Sequence, residues 1–358
     1  MTANKMKSGS LTKDLLIWYN QTKNNYEWRK THDPYKIWLS EIMLQQTQVT
    51  TATPYYINWL SQHPTLKSVA KSKIDDLLKL WEGLGYYRRV KNFYLACQIV
   101  LEKYDGKVPT RLADFMELPG VGPYTAAAVM SIAYSQPVPA IDGNVVRVVS
   151  RLKIIKERFP KSRKSILSYL NKIIDLKSPG DFNQALMDLG RDICKPSKPK
   201  CIICPIQKQC LAKINNLVYK YPKLTKRKKR PVFNIAIGVI WKKNKILVSK
   251  RKKNVLLAGL WEFPGGKIKK GETPKSCVIR EAKEELNIDV LPVSYIKEIK
   301  HSYSHFKIIM KAYNCKYIKG QTIALDCADF KWIKPNNLDA LAFPSASKKL
   351  FNDLSPVK

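Results

Sequence analysis

The sequence predicts an all-α domain over residues 1–221 and an α/β (α+β) domain over 232–358, joined by a basic linker at 222–231. Three observations carry this. Apolar residues recur at helical spacing through the first part, as in Leu11, Leu15, Trp18 and Tyr19. The segment from Tyr221 to Pro231, YPKLTKRKKRP, is a proline-bounded run of positive charge. Beyond it FNIAIGVIW and KILVSKR read as strands joined near Lys243-Asn244, and strand patterns return at Phe306 to Tyr317 and Phe330 to Ile333. A chain of 358 residues with 45% apolar content can bury two cores and is not a disordered polymer.

The net charge of +36 implies a polyanionic partner, because neutralising phosphates and releasing counterions is the main sequence-independent source of nucleic-acid affinity. A lysine-biased composition on a solvated surface accounts for part of the excess. Neither an amino-terminal apolar run nor a stretch of spanning length occurs, so a cytoplasmic protein without membrane contact is expected. In that compartment a disulfide framework is not expected. Of eight cysteines, the four between Cys194 and Cys210 read as metal ligands, and Cys97, Cys277, Cys315 and Cys327 as small core residues.

In chain order, Trp28 and Arg29 follow the first helix, and Asp33-Pro34 starts the next with an N-cap and a proline at its first position. On that helix Glu41 has Ile37 and Trp38 one turn before it and Leu44 one turn after, a mostly apolar face. Desolvation there raises the pKa of a carboxyl and keeps it protonated, as a general acid requires; a satisfied core carboxyl would look the same. Gln45, Gln46, Thr47 and Gln48 extend the helix with a polar cluster. In WEGLGYYRR, residues 81–89, Gly83 and Gly85 mark a tight turn, and Tyr86 is the candidate aromatic wedge between unstacked bases.

Residues 117–148, ELPGVGPYTAAAVMSIAYSQPVPAIDGNVVRV, form the centre of the chain. Gly120 and Gly122 sharpen a turn before a small-residue helix from Thr125 to Ala133, leaving amide groups to meet a phosphate. Asp142 precedes an apolar-periodic run and reads as an N-cap whose helix terminus favours the charged form. Two carboxyls pushed apart in pKa, Glu41 and Asp142, form the pattern of an acid paired with an anion.

The hairpin followed by Asp142 resembles the helix-hairpin-helix superfamily of DNA glycosylases, and Tyr124 with IDGNV and WLSEIMLQQTQV resembles its MutY-like, adenine-specific branch. The resemblance implies that Glu41 is the catalytic acid and that Asp142 stabilises the sugar cation. It also implies that Tyr124 and Asn144 position groups around that cation. It places Gln46 and Thr47 against the DNA and the opposite base, and Arg29 and Gln184 at adenine's edge. The cysteines are spaced by six, two and five residues, with no histidine nearby, which leaves zinc or an iron–sulfur cluster open. The family resemblance, whose cluster has this spacing, implies a 4Fe-4S cluster on Cys194, Cys201, Cys204 and Cys210. Lys195, Lys198 and Lys200 ride on its first loop.

In GGKIKKGETPKSCVIREAKEELNI, five residues separate Gly266 from Glu272 and seven more lead to Arg280-Glu281, with Glu284-Glu285 following. This resembles the Nudix box, in which a glycine loop and an acidic helix hold a divalent metal, so Mg2+ on Glu281, Glu284 and Glu285 is expected. Asn287 stands where the box has glycine. HSYSHF, from His301 to Phe306, resembles the family loop that contacts 8-oxoguanine, a role placed on Ser304 and His305.

The reading is a monofunctional adenine DNA glycosylase acting on duplex DNA with adenine opposite 8-oxoguanine or guanine, monomeric and nucleoid-associated. The rivals are an endonuclease III-like glycosylase/lyase, a Nudix nucleotide pyrophosphatase and a lesion sensor. Tyr124 stands where the lyases place their Schiff-base lysine.

Overall fold

The structure, a computed structural model, describes residues 2–223, 229–253 and 255–356. Most of the linker's basic run, 224–228, lies outside the described residues. The chain forms two compact units, Met1–Lys71 with Asn92–Arg227, and Ser72–Lys91 with Lys228–Lys358. The sequence places all of 1–221 together; contacts group the stretch 72–91 with the carboxy-terminal part.

The helices are α1 (Thr2–Thr22), α2 (Pro34–Leu44), α3 (Val49–Gln62), α4 (Leu66–Ala70), α5 (Ile74–Leu80), α6 (Arg88–Lys103) and α7 (Leu112–Met116). They continue with α8 (Pro123–Tyr134), α9 (Gly143–Lys153), α10 (Arg163–Ile173), α11 (Pro179–Asp188), α12 (Leu211–Ile214), α13 (Pro274–Leu286) and α14 (Ser345–Lys348). In the first unit Leu11, Leu15 and Tyr19 of α1 pack with Val145, Val149 and Leu152 of α9, Ile166 and Leu170 of α10 and Phe182 and Leu186 of α11. Trp38 of α2 is fully buried, its ring edge-on to Phe93 at 4.9 Å and to Phe115 at 5.0 Å. That packing holds α2, and Glu41 on it, against the core.

The second unit carries a mixed sheet of β1 (Val232–Lys242), β2 (Lys245–Lys250), β3 (Trp261–Glu262), β4 (Gly265–Lys267), β5 (Asp289–Ser302), β6 (Lys307–Lys319) and β7 (Asp329–Ile333). Its order is β3-β2-β1-β6-β5, with β4 paired to β1 and β7 to β2. Among the described residues only β1 and β6 pair in parallel; the other pairs are antiparallel. Residue alternation sorts the two faces. Ala236 and Ile240 meet Val278, Ala282 and Leu286 of α13, while Ile237, Val239 and Trp241 meet Phe343 and Leu350 of the carboxy-terminal segment. Asn287, which stands where the box has glycine, caps α13 in the left-handed region at φ 57°, a conformation asparagine tolerates.

Candidate active site

Asp33 caps α2 as its residue type predicts, accepting from the amides of Tyr35 and Lys36. On α2 Glu41 is buried, and burial raises its pKa to about 7; the Asp142 charge adds to the rise, while the Tyr124 hydrogen bond and Arg29 oppose it. The Tyr124 hydroxyl donates to Glu41 Oε2 at 2.7 Å and lies 3.2 Å from Met187 Sδ. Burial first, then the two carboxylates, raise the tyrosine's own pKa, so it stays a donor.

Asp142 caps α9 as expected, its Oδ1 accepting from Val145 N at 2.7 Å and its Oδ2 from Asn144 Nδ2 at 2.8 Å. Its electrostatics correct the sequence reading. The helix terminus was expected to favour the charged form, but desolvation is the larger effect and raises the pKa, while the hydrogen bonds and Arg147 oppose it. At both carboxyls burial is the largest effect; at Asp142 it is opposed by hydrogen bonds from Val145 and Asn144 and by the Arg147 charge, at Glu41 by the Tyr124 hydrogen bond and Arg29.

The path into Asp142 is held by a residue the sequence reading missed. Asn183 of α11, fully buried, accepts from Ala140 N at 3.0 Å and donates to Ser131 Oγ and to Val138 O, each at 2.9 Å. Its signal was an asparagine inside an apolar helical repeat, where a polar side chain must be satisfied.

Arg147 and Arg151, one turn apart on α9, were also missed. Arg147 donates to Asn144 Oδ1 at 2.8 Å and to the carbonyls of Gly190 and Cys194, each at 2.7 Å. Arg151, 2% exposed, donates to Cys194 Sγ at 3.2 Å and to the carbonyls of Cys194, Lys195, Pro196 and Tyr221. A Cβ on Gly190 would stand 2.5 Å from that of Asn144, so only glycine lets the cysteine segment approach Asn144.

The four clustered cysteines are free thiols of intermediate burial whose charges interact with one another. Amides donate to two of them, Ile206 to Cys204 and both Lys213 and Ala212 to Cys210, and Arg151 to a third. N–H donors around thiolates suit an iron–sulfur cluster. Among the described residues no three histidine, cysteine or acidic side chains are gathered to hold a single metal ion. A cubane takes one thiolate per iron, so its ligands stand further apart, and the donor set fits it.

The expected magnesium site is not assembled, and Arg280 is the reason. Its guanidinium pairs with Glu272 at 2.7 Å, Glu281 at 2.7 Å and Glu284 at 2.8 Å, supplying within the protein the positive charge expected of the ion. Glu285 is held apart: burial, then Glu262 and Glu281, push its pKa up to about 9, which keeps it protonated. This arrangement does not fit a resident divalent ion.

The remaining expected residues fall at four places. Arg29 pairs with Asp188 at 2.8 Å, its guanidinium over the Tyr19 and Tyr26 rings; Gln184 is half-buried one turn before Met187 on α11. The polar cluster does not extend α2, which ends at Leu44: Gln45 donates to Thr125 Oγ1 at 3.2 Å, and exposed Gln46 adopts φ 58°. At the hairpin Gly120 has φ 80°, while Gly122 caps α8 with nothing within 4 Å of its would-be Cβ, leaving room for close approach. In the second unit Tyr86 OH hydrogen-bonds Ser304 Oγ, and Ser304 and His305 are exposed on the turn between β5 and β6.

These features define a base excision repair glycosylase of the helix-hairpin-helix class. The family described as HhH-GPD superfamily base excision DNA repair protein matches residues 39–175, and the NUDIX domain matches 236–353. The chain belongs to the adenine DNA glycosylase family. The adenine DNA glycosylase of Buchnera aphidicola subsp. Schizaphis graminum is 38% identical over 300 residues, 82% of this chain and 84% of its own. The human enzyme of that name is 30% identical over 400 residues, 94% of this chain and 72% of its own. A solved thermostable thymine-DNA glycosylase superposes with a TM-score of 0.54 at 28% identity, over 60% of this chain and 99% of that one.

Proposed function

We propose that this chain is a monofunctional DNA N-glycosylase that excises adenine opposite 8-oxoguanine or guanine, a step of base excision repair. The observation that carries it is the buried, proton-holding Glu41 sharing its surroundings with Tyr124 and the capped Asp142. With adenine flipped out of the duplex, the Glu41 proton passes to the purine ring and the C1′–N bond breaks with its electron pair leaving on neutral adenine. Asp142 stabilises the cationic sugar, and water adds to it, its released proton returning to the Glu41 carboxylate. Tyr124 orients Glu41, and Asn144, held by Arg147, orients Asp142. Arg29 and Gln184 read adenine's edge.

Gly120 and Gly122 take a backbone phosphate, Gln46 and Thr47 enter the stack, Tyr86 wedges it open, and Ser304 and His305 read the opposite base. Cys194, Cys201, Cys204 and Cys210 would hold a 4Fe-4S cluster, which when bound fixes the Lys195–Lys200 loop as a basic surface. No helix among the described residues is long and apolar enough to cross a membrane, and we place the protein, as a monomer, at the nucleoid.

The test is incubation with duplexes carrying adenine opposite 8-oxoguanine, guanine or cytosine, scoring base release and strand breaks separately. Adenine release without breaks is expected. Breaks without added base, with enzyme trapped on DNA by borohydride, would overturn monofunctionality.

A further inference from the structure

The stretch 72–91 carries the wedge Tyr86 and is fastened to the β-sheet unit at three places. Lys250 Nζ bridges both Asp75 oxygens at 2.8 and 2.7 Å, and Lys91 Nζ donates to Ala258 O. The third fastening is Glu82. Its side chain is 8% exposed and accepts from Phe343 N at 2.7 Å, Lys348 Nζ at 2.8 Å and Lys79 Nζ at 2.6 Å.

Phe343 is fully buried, packed on Phe263 at 5.7 Å and Phe351 at 5.1 Å, so its amide belongs to the sheet's core. From Glu82 the backbone reaches Tyr86 through a short, internally bonded turn. Trp81 Nε1 donates to Gly85 O at 3.0 Å, Gly83 N to Tyr87 OH at 3.2 Å, and Arg89 Nη2 to the carbonyls of Leu84 and Gly85. Tyr86 OH then meets Ser304 Oγ on the exposed 303–306 turn.

We propose that Glu82 is a positioning residue for opposite-base discrimination, registering the Tyr86 wedge against the Ser304–His305 turn by anchoring residues 81–89 to Phe343 and Lys348. The inference rests on the proposed roles of Tyr86, Ser304 and His305. A carboxylate accepting from a buried amide and two ammonium groups forms ion-paired, charge-assisted bonds, stronger than those of an uncharged amide side chain with a single acceptor oxygen. A wedge loosened by an ångström loses discrimination before it loses excision, because the acid and the anion lie on α2 and α9, whose positions do not depend on Glu82.

The test compares full-length wild type, Glu82→Gln, Lys348→Met and Ser304→Ala/His305→Ala. Single-turnover excision of adenine opposite 8-oxoguanine and opposite guanine is measured, with hydrogen exchange of the free proteins. Glu82→Gln is expected to shrink the 8-oxoguanine-to-guanine rate ratio about tenfold, with excision opposite guanine within about twofold of wild type. Lys348→Met, a surface change that keeps the amide bond, is expected to shrink it about threefold and decides the matter if Glu82→Gln does not fold. Amides of 83–89 and 303–306 should exchange faster, and those of α2 should not.

Both rates falling in parallel, or an unchanged ratio in Glu82→Gln and Lys348→Met while Ser304→Ala/His305→Ala collapses it, would overturn the role of Glu82 and leave the reading of the turn intact. A wild type without any preference would overturn that reading, and the role of Glu82 with it.

Discussion

Tyr124 donates to Glu41 Oε2 at 2.7 Å, and this bond opposes the rise that burial imposes on the carboxyl. The tyrosine therefore sets how much of the acid is protonated near neutrality, although it carries no catalytic proton itself. In the proposed mechanism excision needs Glu41 protonated and Asp142 ionised, so the rate should fall as pH rises through about 7 and fall again in acid, where Asp142 takes up a proton. Tyr124→Phe removes the bond that lowers the Glu41 pKa, and the alkaline limb should move to higher pH. Single-turnover rates across pH check both; a limb that stays put in Tyr124→Phe would count against the coupling.

The same proton has a stability consequence. The folded pKa of Glu41 lies above its ordinary value of 4.5, so the native state binds the proton more tightly, and that stabilisation is lost as pH rises through about 7. Glu41→Gln cannot ionise. At pH 8 it should be more stable than wild type by up to about 3 kcal/mol, and the advantage should vanish near pH 4.5. Thermal melts of both proteins at the two pH values measure this, alongside excision too slow to detect.

Asn183→Leu removes three hydrogen bonds at the segment leading to Asp142 and strands the Ala140 amide in the core. A loss of about 2–4 kcal/mol is expected, with excision reduced and duplex binding largely kept. Denaturant unfolding and single-turnover rates provide the check; a stable variant with wild-type rates would show that Asn183 does not place Asp142.

Arg151→Met leaves the Cys194 sulfur and four carbonyls without their donor, and Cys194→Ser removes a proposed cluster ligand. Iron content and affinity for duplex DNA should fall together in both. Stoichiometric zinc in anaerobically purified wild type would refute the cluster assignment.

With Arg280 holding Glu272, Glu281 and Glu284, the full chain is expected to release no phosphate or pyrophosphate from oxidised or normal nucleoside triphosphates in magnesium. Steady release, abolished by Glu284→Gln/Glu285→Gln, would show that the salt-bridge cluster opens to admit the ion.

Much of the site was legible because its signals are local. Asp33-Pro34 announces α2, the apolar neighbours of Glu41 announce its burial, and Asp-Gly-Asn announces the cap of α9. What was missed depends on partners distant in sequence. Arg151 looks like any basic residue in a last helical turn until Cys194 and Tyr221 fold over it. The direction of the Asp142 shift required its desolvation, which no spacing reveals. Gln46 could not be placed off the helix because its positive φ is rare outside glycine and asparagine.

The grouping of 72–91 with the sheet bears on how the chain can be cut. A protease acting in the basic linker would give a fragment ending near residue 223 that keeps Asp75, Glu82 and Tyr86 but has lost Lys250, Phe343, Lys348 and Ser304, to which they bond. The amino-terminal fragment would retain Glu41 and Asp142 yet carry a frayed, newly wetted stretch around Tyr86. Truncation at that point is therefore no clean separation of the proposed chemistry from the proposed recognition, because the stretch 72–91 is encoded upstream of the cut and shaped by what lies downstream of it.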